Sequence, residues 1–412
     1  MKGKLHTADF DDIKAGKITD VYFERTIRIL KAKGIDKYVK AEFIAKDFPD
    51  NWEWGVFAGL EECSSLLEGM KINVRAMPEG TIFKTYQPVL EIEGMYTDFG
   101  LYETAILGFL CQASGIATKA ARCKKVAGDR GVISFGARRM HPTIAPMVER
   151  SAYIGGCDGV AVVMSGELIG EDPMGTMPHA LIILMGNSVD ATRAFHEVME
   201  PDIKRVALVD TFGDEKFESI AVAEAMGNKL YGVRLDTPSS RRGNFLRILQ
   251  EVRWELDIRG YKDVKIFVSG GLDEDKILEL NPIVDAYGVG TSISSAKVID
   301  FAMDIIEVEG KPLAKRGKMS GSKRVLRCDN CYNFKMIPLK VEARSQKSEV
   351  AAGFSLRPTP GVRSQEPEVS CSCGGVFKDI LLPFVESGRI VSARLSTREI
   401  REYVLKQLIH FS

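Results

Sequence analysis

The chain has 412 residues, 45% of them hydrophobic and 27% charged, enough for a sizeable core divided among roughly two to three domains. Fifty-six basic side chains offset fifty-six acidic ones, so net charge offers no general attraction to nucleic acid or to an anionic membrane. No apolar run approaches the about 20 residues of a membrane span, the N-terminal stretch lacks a secretory pattern, and eight cysteines in so long a chain do not make a disulfide scaffold; a cytoplasmic protein without a membrane partner is expected.

Thr19-Asp20 precede a run of helix formers over 21–33 that Gly34 should stop. Residues 39–43 alternate as a strand, 55–69 read as a helix, and Val74, 81–83 and 89–92 read as strands around the turn Met77-Pro78-Glu79-Gly80. Apolar residues at helical spacing, uninterrupted by proline, predict a long helix over 101–127. The texture then changes. Short apolar runs ending in glycine or polar residues recur at 131–135, 159–164, 206–210, 231–236, 264–269 and 286–290, with helical patterns over 217–229, 244–259 and 273–280.

Such alternation predicts a parallel sheet. About six to seven strands fit, as an open doubly wound sheet or an irregular (β/α) barrel. No G-x-G-x-x-G follows a first strand, and polar residues recur at the C-terminal ends of many strands, which is where a barrel assembles its site; the barrel is favoured. The expected organisation is an N-terminal α/β domain over 1–120, the barrel over 121–310, and a small C-terminal domain over 311–412. In the last, 340–370 are polar and aperiodic and read as a mobile loop, and Ser396-Thr397-Arg398-Glu399 makes a capping box for a helix over 397–409.

Two glycine turns carry the strongest phosphate signal: Ser269-Gly270-Gly271 and Gly288-Val289-Gly290-Thr291, each ending an apolar strand. Glycine lets backbone N–H groups approach an anion closely; either turn alone is equally an ordinary strand-to-helix connection. Arg234 and Asp236 lie two apart at another strand end, so both face one cavity or close the barrel as a buried ion pair. Asp210 ends a third strand, where a carboxylate can bind ribose hydroxyls or a divalent ion. Phe135 precedes Arg138 and Arg139, a ring and guanidinium suited to an aromatic carboxylate. Thr176 stands where it can cap a helix with Pro178 in its first turn; His179 follows, a structural donor or a functional group.

Cys328-Asp329-Asn330-Cys331 is a C-x2-C knuckle, answered after 39 residues by Cys371-Ser372-Cys373-Gly374-Gly375. Four thiolates close a tetrahedral shell, which makes a structural metal site the first reading, with a redox pair or a coincidence of spacing as the alternatives.

In this order the motifs resemble those of the nicotinate phosphoribosyltransferase family, closest to archaeal-type members with a C-terminal four-cysteine zinc knuckle. The resemblance implies an irregular barrel of the type II phosphoribosyltransferase kind with an N-terminal α/β domain and a small zinc-binding domain. It implies nicotinate and phosphoribosyl pyrophosphate as substrates, Mg2+ with the donor, structural Zn2+ on Cys328, Cys331, Cys371 and Cys373, and ATP as a co-substrate. By resemblance, Tyr22 reaches over the pyridine ring of a neighbouring subunit, making the protein at least a homodimer. Phe135 stacks on the other ring face, Arg138 binds the ring substituent, and Asp158 and Thr176 stand near it. His179 matches the phosphorylated histidine of ATP-coupled members and, with Asp210 and Asp236, forms the catalytic group. Arg234, Asp236, Ser269, Gly270, Gly271, Gly288, Gly290 and Thr291 match the parts that hold ribose and phosphate. The run from Lys315 to Ser320 resembles a segment at the pyrophosphate end.

Three rivals stand beside this reading. Nicotinamide as acceptor is favoured if Asp158 points charged into the ring slot, and quinolinate requires a second basic cluster. A zinc-ribbon nucleic-acid binder would use Lys315, Arg316, Lys318, Lys323, Arg324 and Arg327 as a phosphate stripe, leaving most of the chain unexplained. A silent barrel would bind a phosphorylated metabolite without turnover.

Overall fold

The computed structural model describes residues 5–339 and 369–411. All but the last two residues of the loop expected over 340–370 lie outside them.

Val21–Lys33 is helical and ends on Gly34 in a left-handed conformation, as the composition predicts. Three hydrophobic strands, Tyr38–Ala45, Ile72–Ala76 and Pro88–Met95, pair antiparallel at the centre of a seven-stranded sheet. One edge is extended by Phe301–Val308 and Lys311–Pro312, the other by Leu382–Glu386 and Arg389–Ile390. The helix expected over 55–69 is shorter: Gly55–Val56 pairs instead with Ile82–Phe83, and only Leu60–Leu67 is helical. That pairing joins residues distant in sequence, which local periodicity does not register.

The long helix Glu103–Ala127 has 25 residues, about 37 Å at 1.5 Å per residue, and ties the molecule together. Ile106 and Leu110 pack into the core under the seven-stranded sheet, while Ile116, Ala120 and Cys123 pack into the core of the second half. Small residues on this helix admit close neighbours: an added Cβ at Gly115 would stand 2.3 Å from the Lys297 carbonyl oxygen.

Five short parallel strands form the second half, in the order Gly131–Ser134, Ala286–Val289, Lys265–Ser269, Gly232–Leu235, Val206–Leu208. Gly159 adds a parallel bridge to Ile133. The first strand therefore lies beside the last, the pairing of a barrel and not of an open doubly wound sheet. No strand ladder among the described residues joins Gly159 to Val206–Leu208, so the barrel is open at that seam. The strand expected over 159–164 shrinks to the Gly159 bridge because Val163 opens the helix Val163–Ile169. Helices Glu215–Met226, Phe245–Ile258 and Glu274–Leu280 fall where the pattern predicts and bury their apolar faces on the strands.

The strands Lys323–Cys328, Phe334–Pro338, Val369–Ser370 and Val376–Asp379 form a four-stranded antiparallel sheet that carries the cysteines. Thr397–Leu408 is a helix with the predicted capping box: the Glu399 N–H donates to Ser396 Oγ, and Glu399 Oε2 accepts the Ser396 N–H at 2.8 Å. Its buried Gln407 accepts from the Ile82 N–H at 3.0 Å and donates to the Gly80 carbonyl at 2.8 Å, fixing the helix to the N-terminal half. No described helix is long and apolar enough to cross a membrane.

The basic stripe proposed for nucleic acid is largely spent inside the fold. Lys323 pairs with Glu42 at 2.7 Å, Lys315 with Asp304 at 2.6 Å, Lys318 with the same Asp304, and Arg324 with Asp379 at 3.0 Å. Arg327 donates to Gln407 Oε1 at 2.6 Å. A row of cations so neutralised has little left for phosphates.

Candidate active site

Because the five strands run parallel, the residues that follow them meet at one end of the barrel. They enclose a cavity of about 690 Å³ lined by Phe135, Arg138, Thr176, His179, Arg234, Asp236, the Ser269–Gly271 turn, Gly288, Gly290 and Thr291. Of the nineteen expected site residues, twelve line this one space, and Tyr22, Asp158, Asp210 and the four cysteines do not.

Phe135 follows the first strand and lies against the last. A Cβ on Gly288 would stand 2.3 Å from Phe135 Cδ2, so only glycine allows the ring its place. The Arg234 guanidinium sits 5.9 Å from the ring centroid. Arg138, exposed on the short turn Ala137–Arg139, and Arg139 beside it stand at the rim. The set offers an aromatic face bordered by cations.

A charged cluster stands beside it. His179 Nε2 lies 3.7 Å from Asp236 Oδ2 and 3.9 Å from Asp210 Oδ1, and its Nδ1 is 3.0 Å from Thr211 Oγ1. Asp236 accepts from Ser269 Oγ at 2.7 Å, and its N–H donates to Asp210 Oδ2 at 3.0 Å. Asp210 does not reach the cavity lining; its side chain is 2% exposed and its Oδ1 has no hydrogen-bond partner. Burial pushes this carboxyl up to about 6, with the neighbouring Asp236 charge adding to the rise and His179 opposing it. Arg234 extends Nη1 to Thr176 Oγ1 and holds Nη2 3.7 Å from Asp236 Oδ2, while its buried Nε lacks a partner. Burial also lowers the Arg234 pKa. Two orphaned polar atoms, on Asp210 and on Arg234, thus lie buried behind or beside a cavity large enough for a nucleotide-sized ligand.

Thr176 is not a helix cap. Pro178 holds the N-cap position of His179–Met185 without a side-chain bond, and Thr176 turns to Arg234 instead. Gly270 and Gly271 have φ of 82° and 60°, left-handed values that favour glycine at both. Gly290 is the N-cap of the single turn Thr291–Ser294.

Asp158 stands elsewhere, contrary to expectation. It precedes the Gly159 bridge and so lies at the opposite end of the barrel, where it accepts the Val132 N–H at 2.8 Å and pairs with Lys124 at 2.9 Å and Arg401 at 2.6 Å. Side chains entering strands fasten a barrel; those leaving them build its site. Tyr22 is 57% exposed on the N-terminal helix and does not line this cavity.

Glu149 was not singled out by the sequence. Fully buried on helix Ala145–Ile154, it accepts the N–H groups of Ala161 at 3.0 Å and Val162 at 2.9 Å, both of which line the cavity. Its signal is faint: one acid on a helix face that packs inward. Arg242 also escaped notice, in a run of basic and small residues that reads as surface.

The four cysteines converge. Their Sγ atoms all lie within 4.8 Å of one another, with Cys328 to Cys373 at 3.4 Å and Cys331 to Cys371 at 3.6 Å. A tetrahedral thiolate shell at about 2.3 Å from a metal places sulfurs about 3.8 Å apart, so the spacing fits one ion and the set can hold a metal.

Comparison with known proteins places these features in company. Family models for the N-terminal and C-terminal domains of quinolinate phosphoribosyl transferase match residues 20–114 and 116–304. The crystal structure of nicotinate-nucleotide pyrophosphorylase from Pyrococcus furiosus is 54% identical, covers 99% of each chain and gives a TM-score of 0.91. A nicotinate phosphoribosyltransferase of Mycobacterium tuberculosis is 31% identical over 268 residues, a match that takes in 62% of this chain and 57% of that enzyme. Human nicotinic acid phosphoribosyltransferase, at 20% identity, shares the fold with a TM-score of 0.71 over 96% of this chain and 94% of its own.

Proposed function

The chain belongs to the nicotinate phosphoribosyltransferase family, and on that premise we propose that it joins nicotinate to the ribosyl carbon of phosphoribosyl pyrophosphate, releasing nicotinate mononucleotide and pyrophosphate for NAD biosynthesis. The observation that carries the reading is the meeting, at one barrel end, of the Phe135 ring, Arg138, and the Arg234–Asp236 pair beside two left-handed glycines.

The chemistry asks for positioning and charge control more than for a strong base. The pyridine nitrogen is itself the nucleophile: its lone pair forms the C–N bond as the C–O bond to pyrophosphate breaks and the ribosyl carbon passes through an oxocarbenium-like state. Phe135 supplies the stacking face for the ring, and Arg138 binds its carboxylate. Asp236 accepts from ribose hydroxyls, Asp210 behind it holds its backbone N–H, and the charge of the two favours the cationic ribosyl carbon. Arg234, Ser269 and the turns Gly270-Gly271 and Gly288–Thr291 hold the phosphates. Asp236, on the cavity wall with the Asp210 carboxylate behind it, would hold Mg2+ brought in with the donor, and that ion would screen the departing pyrophosphate.

His179 is the candidate for coupling to ATP, taking the terminal phosphoryl group on a ring nitrogen with ADP leaving; its fixed orientation between Thr211 and the two carboxylates supports that role. Nicotinate is favoured over nicotinamide because the Asp158 carboxylate is engaged by Lys124 and Arg401 and leaves Arg138 unopposed at the ring slot. The cysteine shell would hold structural Zn2+. Helix Val21–Lys33 exposes Val21, Tyr22 and Ile29, an apolar face fit to meet a second subunit whose ring site Tyr22 would cover; the protein is then a cytoplasmic homodimer or larger.

A product assay tests the reading: phosphoribosyl pyrophosphate and Mg2+ with nicotinate, nicotinamide or quinolinate, each with and without ATP. Mononucleotide from nicotinate, faster with ATP, is expected. Product from quinolinate with release of CO2, and none from nicotinate, would overturn it.

A further inference from the structure

Arg242 closes the short helix Ser239–Arg242 after the strand that carries Arg234, and it is not part of the cavity lining. Its guanidinium binds three backbone carbonyls: Nε donates to Thr237 at 2.5 Å, and Nη2 to Ser269 at 2.8 Å and to Gly270 at 2.6 Å. One side chain thereby ties the loop after one strand to the glycine turn after the next.

The consequence follows from peptide geometry. In a trans peptide the C=O of one residue and the N–H of the next point in opposite directions, and the chain has no cis bonds among the described residues. With the Ser269 and Gly270 carbonyls drawn to Arg242, the N–H groups of Gly270 and Gly271 turn away from it. Both glycines line the cavity, and neither N–H donates to any group among the described residues. Such free donors have a use only if an acceptor arrives.

We propose that Arg242 is the positioning residue of the phosphate cradle: it sets the two peptide planes whose N–H groups receive an anionic oxygen of the phosphoribosyl donor. The inference rests on the reading of the cavity as a phosphoribosyl site. Arg242 acts through the backbone, and its cation does not touch the ligand. The planar fork is essential, since an ammonium cannot hold three carbonyls from two loops in one plane. The left-handed φ of Gly270 belongs to the same device: an added Cβ there would stand 2.9 Å from Asp236 Oδ1 and 3.0 Å from Arg242 Nη2.

The test compares Arg242→Lys and Arg242→Met with the wild-type protein, each shown folded by its thermal transition. Calorimetry measures ribose 5-phosphate and nicotinate binding, and the chemical shifts of the glycine amides are followed in selectively labelled protein. Both variants are expected to lose about tenfold to a hundredfold in ribose 5-phosphate affinity, with nicotinate affinity unchanged and the Gly270 and Gly271 amides displaced even without ligand. Near-normal affinity in the Lys variant would show that charge suffices and would overturn the positioning role. Equal losses for both ligands would overturn it too, by showing a general collapse of the site. Absence of ribose 5-phosphate binding in the wild type would remove the phosphoribosyl reading itself, and the role with it.

Discussion

Replacing Asp210 with Asn should make the protein more stable at alkaline pH and less able to hold its donor. Burial and the neighbouring Asp236 charge move the Asp210 carboxyl from 3.8 to about 6 in the folded chain. Raised in the fold, this carboxyl is a burden where it is ionised: the penalty is absent below the unfolded pKa, grows as pH rises between the two values, and is complete above the folded one. The side chain is 2% exposed, so solvent screening does little to reduce it. The full penalty is on the order of 3 kcal/mol, of which roughly half develops between pH 5 and pH 8. Urea unfolding of wild type and Asp210→Asn, free of donor and in the presence of chelator, reads this directly. The variant's stability relative to wild type should rise by roughly 1–2 kcal/mol from pH 5 to pH 8. Any fixed cost of the amide cancels in that difference. A relative stability independent of pH, or one that falls, would refute the account of this carboxyl, and donor affinity undiminished in the variant would remove Asp210 from the site.

Arg138→Ala should raise the KM for nicotinate about tenfold to a hundredfold, the loss of one charge-assisted contact, while the donor KM moves little; equal losses would undo the assignment. Gly288→Ala drives a methyl group to within 2.3 Å of the Phe135 ring. Steady-state kinetics should show a weakened nicotinate KM and thermal unfolding a loss of about 1–3 kcal/mol, and an unchanged KM would mean that the ring is not where the acceptor stacks. Cys331→Ser should lower bound metal by elemental analysis and lower the Tm while sparing turnover per folded molecule; loss of turnover in folded, metal-free protein would contradict a structural role.

What the sequence discloses and what it hides divide along physical lines. Strand ends are visible because an apolar run stops at a polar residue, and this located Phe135, Asp210, Arg234, Ser269 and Gly290 before any geometry. The capping box at Ser396 is visible because both its partners lie within one turn. Which end of a barrel a residue occupies is less plain: Asp158 stands only one residue before Gly159, yet entering the strand instead of leaving it puts Asp158 among Lys124 and Arg401. Long-range pairing is hidden as well, and so residues 55–56 are a strand with Ile82–Phe83 where their local pattern reads as helix. Most hidden are side chains that serve the backbone of another segment. Glu149 holds two amides of the cavity wall, and Arg242 holds three carbonyls around a glycine turn, although neither belongs to a motif.

The most direct measurement is a crystal structure of the protein with nicotinate mononucleotide. The phosphate should lie on the N–H groups of the Gly270-Gly271 and Gly290-Thr291 turns, with the pyridine ring against Phe135 and its carboxylate on Arg138. A mononucleotide bound away from this barrel end, or reversed so that the phosphate meets Arg138, would contradict the account.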